Sequence, residues 1–207
     1  MYHLPAYVAI ERWAPGRVIV VVAPRTADGP RRLRDAGARV IVVGSLRTER
    51  GIEVRAGTPE LPLPDGSVHM VACIEGYADL SPQQRARMLV EAKRILQPDG
   101  VMVAWTEHDD APGKVDFWTL ERELGAAFAR VQMIAQIPWR GFSLAPVLDE
   151  GAAAPAVVVR ESLLALPPAP THYLALAGDE AARDRLGAAL QCVLVPMAVE
   201  AEVVELA

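Results

Sequence analysis

The chain has 207 residues, of which 52% are hydrophobic and 23% charged, a composition typical of a globular α/β domain and not of a disordered or fibrous protein. Its formal net charge is -5, which gives no support to nucleic-acid binding. No stretch reaches the ~20 continuous apolar residues of a membrane span, and no secretion signal opens the chain, so we expect no membrane association and a cytoplasmic location.

Short apolar runs alternate with a helical pattern in the first sixty residues. Residues 17–22 predict a first strand, residues 28–37 a helix that ends at glycine, and residues 39–43 a second strand. A third strand is expected near residues 52–56. Arginines at 31, 32 and 34 make a basic cluster on the helix, which we interpret as its solvated face.

The next segment carries the sharpest local signals. A turn at residues 61–67 leads into the apolar run 68–74, which predicts a fourth strand, followed by an acidic and aromatic loop. Ser81 as N-cap, Pro82 at the first helical position and Gln84 three residues after the cap predict a helix start. Residues 98–100 are expected to stop this helix, and residues 101–105 to form a fifth strand.

The remaining elements are predicted less uniquely. Residues 115–128 indicate a helix and residues 131–137 a strand, while two late apolar runs, 156–159 and 173–177, compete for the last strand of the sheet. We expect one domain over residues 1–207. Its C-terminal part, residues 178–207, is predicted to be an extension that packs on the core or on a partner, and a homodimer contact is the functional version of that prediction.

The segment from residue 61 to residue 107 resembles the second half of class I S-adenosylmethionine-dependent methyltransferases. The helix end Arg94-Ile95-Leu96-Gln97-Pro98-Asp99-Gly100 is similar to the family's Arg-x-Leu-x-Pro-Gly-Gly. The resemblance implies a Rossmann-like, doubly wound α/β fold, with a mostly parallel sheet of about seven strands and helices on both faces.

The family's cofactor-binding positions carry unsuitable residues in this chain. The resemblance places an acidic residue and three glycines in and after the first strand, an acidic residue after the second strand, and an acidic partner of adenine after the third. Here these positions fall on Val20, Val22, Pro24, Thr26 and Gly44, and the last on Gly57 or Thr58. A Cβ blocks close approach of a ligand to the backbone and proline removes a donor, so we expect no bound cofactor.

Three hypotheses about function remain open. The first is a non-catalytic, methyltransferase-like pseudoenzyme that acts as a protein-binding, scaffolding or regulatory module, with a protein partner or self-association. The second is an active methyltransferase with a divergent glycine loop, which would use S-adenosylmethionine on a small molecule or protein. The third is an enzyme with different chemistry in the same crevice.

Candidate site residues follow from these hypotheses. If the chain is active, the resemblance implies Glu75, Tyr77 and His108 as residues that hold the substrate or remove its proton. His108 with its neighbouring aspartates has metal-ligand atom types, but consecutive residues cannot all face one ion, and we predict no metal site. The interface candidates combine aromatic rings with an arginine in one loop. They are Trp139, Arg140 and Phe142.

His69 and the two cysteines are given structural roles. His69 lies near the start of the predicted fourth strand, and we expect a hydrogen bond to satisfy its ring. Cys73 and Cys192 belong to no CxxC pair, so we interpret both as buried apolar residues.

Overall fold

The computed structural model describes residues 2–47, 49–57, 60–108, 114–138 and 169–188. Seven strands are present in these ranges: β1 (Val18–Val22), β2 (Arg39–Val43), β3 (Ile52–Arg55), β4 (Val68–Cys73), β5 (Leu96–Glu107), β6 (Arg130–Gln136) and β7 (His172–Gly178). The helices are α1 (Leu4–Glu11), α2 (Asp28–Asp35), α3 (Pro82–Ile95), α4 (Phe117–Ala127) and α5 (Arg183–Ala188), the last preceded by a 3₁₀ turn at Glu180–Ala182.

The strands form one sheet in the order β3-β2-β1-β4-β5-β7-β6. The first five strands in this order are parallel, and β7 runs antiparallel to both β5 and β6. Strands β2 and β3 are added on one side of β1, and β4 and β5 on its other side, so the strand order reverses between β1 and β4. In doubly wound sheets, ligands bind beyond the carboxyl ends of the strands at such a switch point. The predicted Rossmann-like α/β fold is confirmed.

Both faces of the sheet are buried, which explains why its central strands read as unbroken apolar runs. Val20 and Val22 of β1 face one core, which also holds Met88 of α3 and Leu120 of α4. Alternate residues of the same strand face a second core. That core includes Ile19 and Val21 of β1, Tyr7 and Ile10 of α1, Leu33 of α2 and Leu186 of α5.

Local signals set the start of two helices. Ser81 and Gln84 form the predicted capping box, in which the Ser81 hydroxyl accepts from the Gln84 amide at 3.3 Å and the Gln84 side chain accepts from the Ser81 amide at 2.9 Å. Asp116 caps α4 by accepting from the Thr119 amide at 2.7 Å. The predicted helix over residues 115–128 therefore begins after this cap, at Phe117.

The structure corrects the predicted helix stop at residues 98–100. The helix ends at Ile95, and Leu96 already pairs with Val68 in the sheet. The pairing register shifts before Val101, so residues 98–100 lie within β5 at an irregularity where Pro98 has no amide to donate. Proline and glycine mark a bulge here instead of a turn.

Of the two competing late runs, residues 173–177 lie in β7, while residues 156–159 lie outside the described residues. Helix α1 was not predicted from the sequence. Most of the predicted C-terminal extension also falls outside the described part, and so do the interface candidates Trp139, Arg140 and Phe142. The domain division and the interface stay predictions.

Candidate functional site

The carboxyl edge of the sheet between β1 and β4 is the candidate site, because the fold places a crevice there. Val20, at the predicted acidic position, is fully buried and lies between Ile41 of β2 and Val71 of β4 in the sheet register. Val22 ends the strand and is buried in the same core. Both positions serve hydrophobic packing, and neither presents a polar group to the crevice.

The turn after β1 has an unusual backbone. Ala23 has φ 47°, in the left-handed region that favours glycine, and its amide donates to the Val43 carbonyl at 2.8 Å. Pro24 is buried, and Thr26 is exposed. An alanine at φ near +50° costs about 1–2 kcal/mol, which the surrounding packing has to offset.

This turn packs directly against the loops after β2 and β4. A Cβ added to Gly76 would lie 2.8 Å from the Ala23 Cβ and 2.9 Å from its carbonyl oxygen. A Cβ added to Gly44, which has φ 152°, would lie 3.2 Å from the Ala23 Cα. Two glycines are therefore retained beside the turn, and the close approach they permit is between parts of this chain.

Arg25 fastens the turn to the loop after β4. Its amide donates to Glu75 Oε2 at 3.0 Å, and its guanidinium Nη2 donates to both Asp79 oxygens at 2.9 and 2.7 Å. Asp79 first, and Glu75 further away, raise the pKa of Arg25. We call these contacts between Arg25, Glu75 and Asp79 the Arg25 latch.

Helix α1 covers the same place from the N-terminal side. The Tyr7 hydroxyl donates to Glu75 Oε1 at 3.3 Å, and its ring is fully buried. The ring lies on Gly29 of α2, where an added Cβ would be 2.2 Å from ring atoms. Burial first, and Glu75 next, raise the pKa of Tyr7 well above its usual value, so the phenol stays a donor. Each Glu75 oxygen thus has a partner within the chain.

Tyr77 belongs to a separate network. Its hydroxyl donates to Glu123 Oε2 at 2.8 Å, while Arg85 binds both oxygens of Glu123 at 2.7 and 2.9 Å. Burial, followed by the charge of Glu123, raises the pKa of Tyr77. These contacts join α3 to α4, which is a structural use of the residue.

His108 lies apart from both groups, just after β5. Its side chain is exposed, its ring meets the edge of Tyr173 at 5.3 Å between centroids, and its amide donates to the Thr171 carbonyl. No hydrogen bond or ion pair among the described residues joins it to Glu75. The structure therefore places the three residues of the active-enzyme hypothesis in three different environments.

The edge beyond β2 and β3 supplies few polar groups. Gly44 follows β2 and donates its amide to the Arg55 carbonyl at 3.0 Å, and Ser45, Leu46 and Arg47 come next in the chain. Thr58 lies outside the described residues. Across the described ranges, no group of three or more His, Cys, Asp or Glu side chains is arranged to hold a metal ion. No helix in those ranges is long and apolar enough to cross a membrane.

Other residues were given structural roles from the sequence. His69 Nδ1 accepts the predicted hydrogen bond, from the Val18 amide at 3.1 Å. Cys73 is fully buried, and Cys192 lies outside the described residues. The Arg25 latch and the contact of Tyr7 with Glu75 were not predicted, because the partners are 50 to 68 residues apart in the chain.

Part of the sequence is similar to a known family of domains. Residues 33–104, which begin inside α2 and end in β5, match the family model of the methyltransferase domain. The match leaves out β1 and the turn that follows it. No curated protein matches the chain at a significant level.

Solved structures agree with the fold. A methyltransferase dependent on S-adenosylmethionine from Mesorhizobium loti is 16% identical with a TM-score of 0.60, over 86% of this chain and 97% of that one. One from Archaeoglobus fulgidus is 15% identical with a TM-score of 0.59, over 84% and 93%. A chain from the complex of a Haloferax volcanii methyltransferase with the Trm112 methyltransferase activator is 15% identical with a TM-score of 0.55, over 86% and 88%. At these identities the likeness establishes the fold alone.

Proposed function

We propose that the chain is a non-catalytic member of the class I methyltransferase-like proteins, which acts through its surface as a protein-binding, scaffolding or regulatory module. The observation that carries this proposal is the direct packing of the turn after β1 on the loop after β4. The turn and the loop that border the place where such folds bind a ligand are in contact with each other.

Steric fit is the first argument. The Ala23 side chain and carbonyl lie where even one added methyl at Gly76 would come within 3 Å of them. A group placed between Gly76 and Ala23 therefore has less room than one methyl needs. Entry of S-adenosylmethionine along this path requires the turn after β1 to move away from the loop after β4.

Hydrogen bonding is the second argument. A ligand that binds Glu75 in this crevice would have to break the hydrogen bonds that Glu75 accepts from the Arg25 amide and the Tyr7 hydroxyl. At the β2 edge, Gly44 to Arg47 offer no carboxylate for the ribose hydroxyls. Each hydrogen bond that is missing or has to be broken costs roughly 0.5–3 kcal/mol, and several together weaken binding by orders of magnitude where they add.

The second candidate, an active methyltransferase with a divergent glycine loop, is favoured by one observation. Glu75 and Asp79 still supply carboxylates beyond β4, and the Arg25–Asp79 pair is largely exposed, with side chains 64% and 58% accessible. Exposed pairs contribute only about 0–1 kcal/mol, so this part of the Arg25 latch opens at little cost. An altered cofactor pose after opening would then be needed.

A protein partner fits the first candidate. The Haloferax volcanii methyltransferase of similar fold binds an activator protein, which shows that such a fold can act within a complex. Trp139, Arg140 and Phe142 are the interface residues that we propose from sequence, together with self-association through residues 178–207. Light scattering over a dilution series tests self-association, and a monomer at every concentration removes the homodimer.

Calorimetry separates the two candidates. We expect no heat of binding for S-adenosylmethionine or S-adenosylhomocysteine up to about 1 mM, a limit set by weak-binding free energies near 4 kcal/mol. Saturable binding at micromolar ligand would support the active-enzyme candidate instead.

A matched variant sharpens the result. Ala23→Gly combined with Arg25→Gly introduces glycine at two positions of the turn and removes the guanidinium of the Arg25 latch, while Arg122→Gln changes an exposed arginine of α4 as a control. If the closed crevice is what excludes the cofactor, binding rises only in the glycine variant.

A further inference from the structure

A second concave site lies at the opposite, amino edge of the sheet. It is a cavity of ≈ 210 Å³. The lining residues come from the end of α1 and the segment after it, the start of β1, β4, β5 and α5. They are Arg12, Trp13, Pro15, Arg17, His69, Met70, Val101 and Arg185.

The floor of this amino-edge cavity is apolar and buried. Met70 and Val101 are buried in the sheet, 3% and 1% exposed. The 3₁₀ turn before α5 is held close to the sheet, since a Cβ on Gly178 would lie 2.6 Å from the Ala182 Cβ and 3.0 Å from the Gly100 carbonyl. A fixed apolar floor beneath a few polar groups is the usual form of a small-molecule site.

The rim is basic although the whole chain is acidic. Three arginines line the cavity in a protein of net charge -5. Arg185 pairs with Asp99, and the Arg12 guanidinium lies 5.0 Å above the Trp13 ring. Within the described ranges, no carboxylate lies in ion-pair distance of Arg17.

His69 adds a neutral donor to this rim. Its Nδ1 accepts from the Val18 amide, which assigns the proton of the neutral ring to Nε2. Burial first, and then the charges of Arg17 and Arg185, lower the pKa of His69, while Asp99 opposes them. No acceptor for Nε2 is found in the described part of the chain.

We propose that the amino-edge cavity binds a small oxyanion of the phosphate or phosphate-ester class, with Arg17 and Arg185 meeting its charge and His69 Nε2 donating a hydrogen bond. Guanidinium groups and a neutral imidazole donor suit phosphate oxygens. The rim charges also draw anions to this edge from solution. The cavity lies at the edge of the sheet opposite the crevice between β1 and β4. A test of anion binding there is therefore independent of the function proposed above.

Calorimetric titration of the full chain with inorganic phosphate, and separately with glycerol 3-phosphate, tests this site at constant ionic strength. We expect saturable binding of at least one probe, and the tighter of the two distinguishes free phosphate from an ester. Arg17→Gln should weaken binding about 10- to 100-fold, as expected when a charge-assisted hydrogen bond is removed, whereas Arg122→Gln should leave it unchanged.

The proposal is wrong if neither probe binds below about 10 mM, a concentration far above that expected for a charge-assisted site. It is equally wrong if Arg17→Gln and Arg122→Gln bind alike. Nitrogen-15 NMR of the wild-type imidazoles keeps the test decisive if Arg17→Gln fails to fold. Phosphate should then shift the His69 Nε2 resonance and leave that of the exposed His108 in place.

Discussion

Packing of Tyr7 on Gly29 is the contact through which α1 covers the crevice, and it can be measured by a double-mutant cycle. In the wild-type chain, Gly29→Ala would put a Cβ 2.2 Å from Tyr7 ring atoms, which are fully buried. Overpacking of a buried site costs about 1–3 kcal/mol, against at most about 1 kcal/mol regained from the better helix propensity of alanine.

The same substitution has a different effect once the ring is gone. Tyr7→Ala alone should cost about 3–5 kcal/mol, because it removes a buried aromatic side chain and one partner of Glu75. In that background Gly29→Ala should be neutral or stabilising. The coupling free energy between the two positions should therefore be about 1–3 kcal/mol.

Urea unfolding, followed by circular dichroism, gives the free energies of unfolding of the four proteins in this cycle. If Gly29→Ala costs the same with and without the Tyr7 ring, to within about 0.5 kcal/mol, α1 does not lie on α2 as described. Helix α1 would then not cover the crevice through Tyr7.

Three other predictions concern single groups. Burial raises the pKa of the Cys73 thiol to about 12, so iodoacetamide at pH 8 should leave Cys73 unmodified in the folded chain and label it after unfolding, as read by peptide mass spectrometry. Burial lowers the pKa of His69 and of His172, so below about pH 6.5 the unfolded chain binds protons that the folded chain does not. The contribution of these two groups to the free energy of unfolding is therefore complete above about pH 6.5 and falls as the pH is lowered below it. His172→Gln should make this decline less steep in thermal unfolding in buffers without phosphate. Ala23→Gly should be neutral or stabilising by up to about 1 kcal/mol in thermal unfolding, since Ala23 has φ 47°, and a loss of more than about 1 kcal/mol would contradict the described turn.

The fold was predictable because its signals are local. Buried strand β1 is a continuous apolar run, β4 is one apart from His69, and the capping box at Ser81 uses two groups three residues apart. Helix α1 carries no such signal. It is apolar nearly throughout and short, and the role of its Tyr7 depends on Gly29 and Glu75, far away in the chain.

For the candidate site, the sequence predicted only that the family's cofactor-binding positions carry unsuitable residues. Val20, Val22 and Pro24 could be aligned with a family pattern, but what fills the crevice in their place depends on Arg25 meeting Asp79, 54 residues later. The amino-edge cavity escaped prediction for the same reason. Its rim joins Arg17, His69 and Arg185, which only the folded sheet brings together.

The most direct test of the closed crevice is NMR of backbone amides during titration with S-adenosylhomocysteine. The amides of Arg25, Gly44 and Gly76 lie at the turn after β1 and at the loops on either side of it. We predict that their resonances stay in place up to about 1 mM ligand. Saturable shifts of all three at micromolar ligand would contradict the account and show that the crevice binds the cofactor.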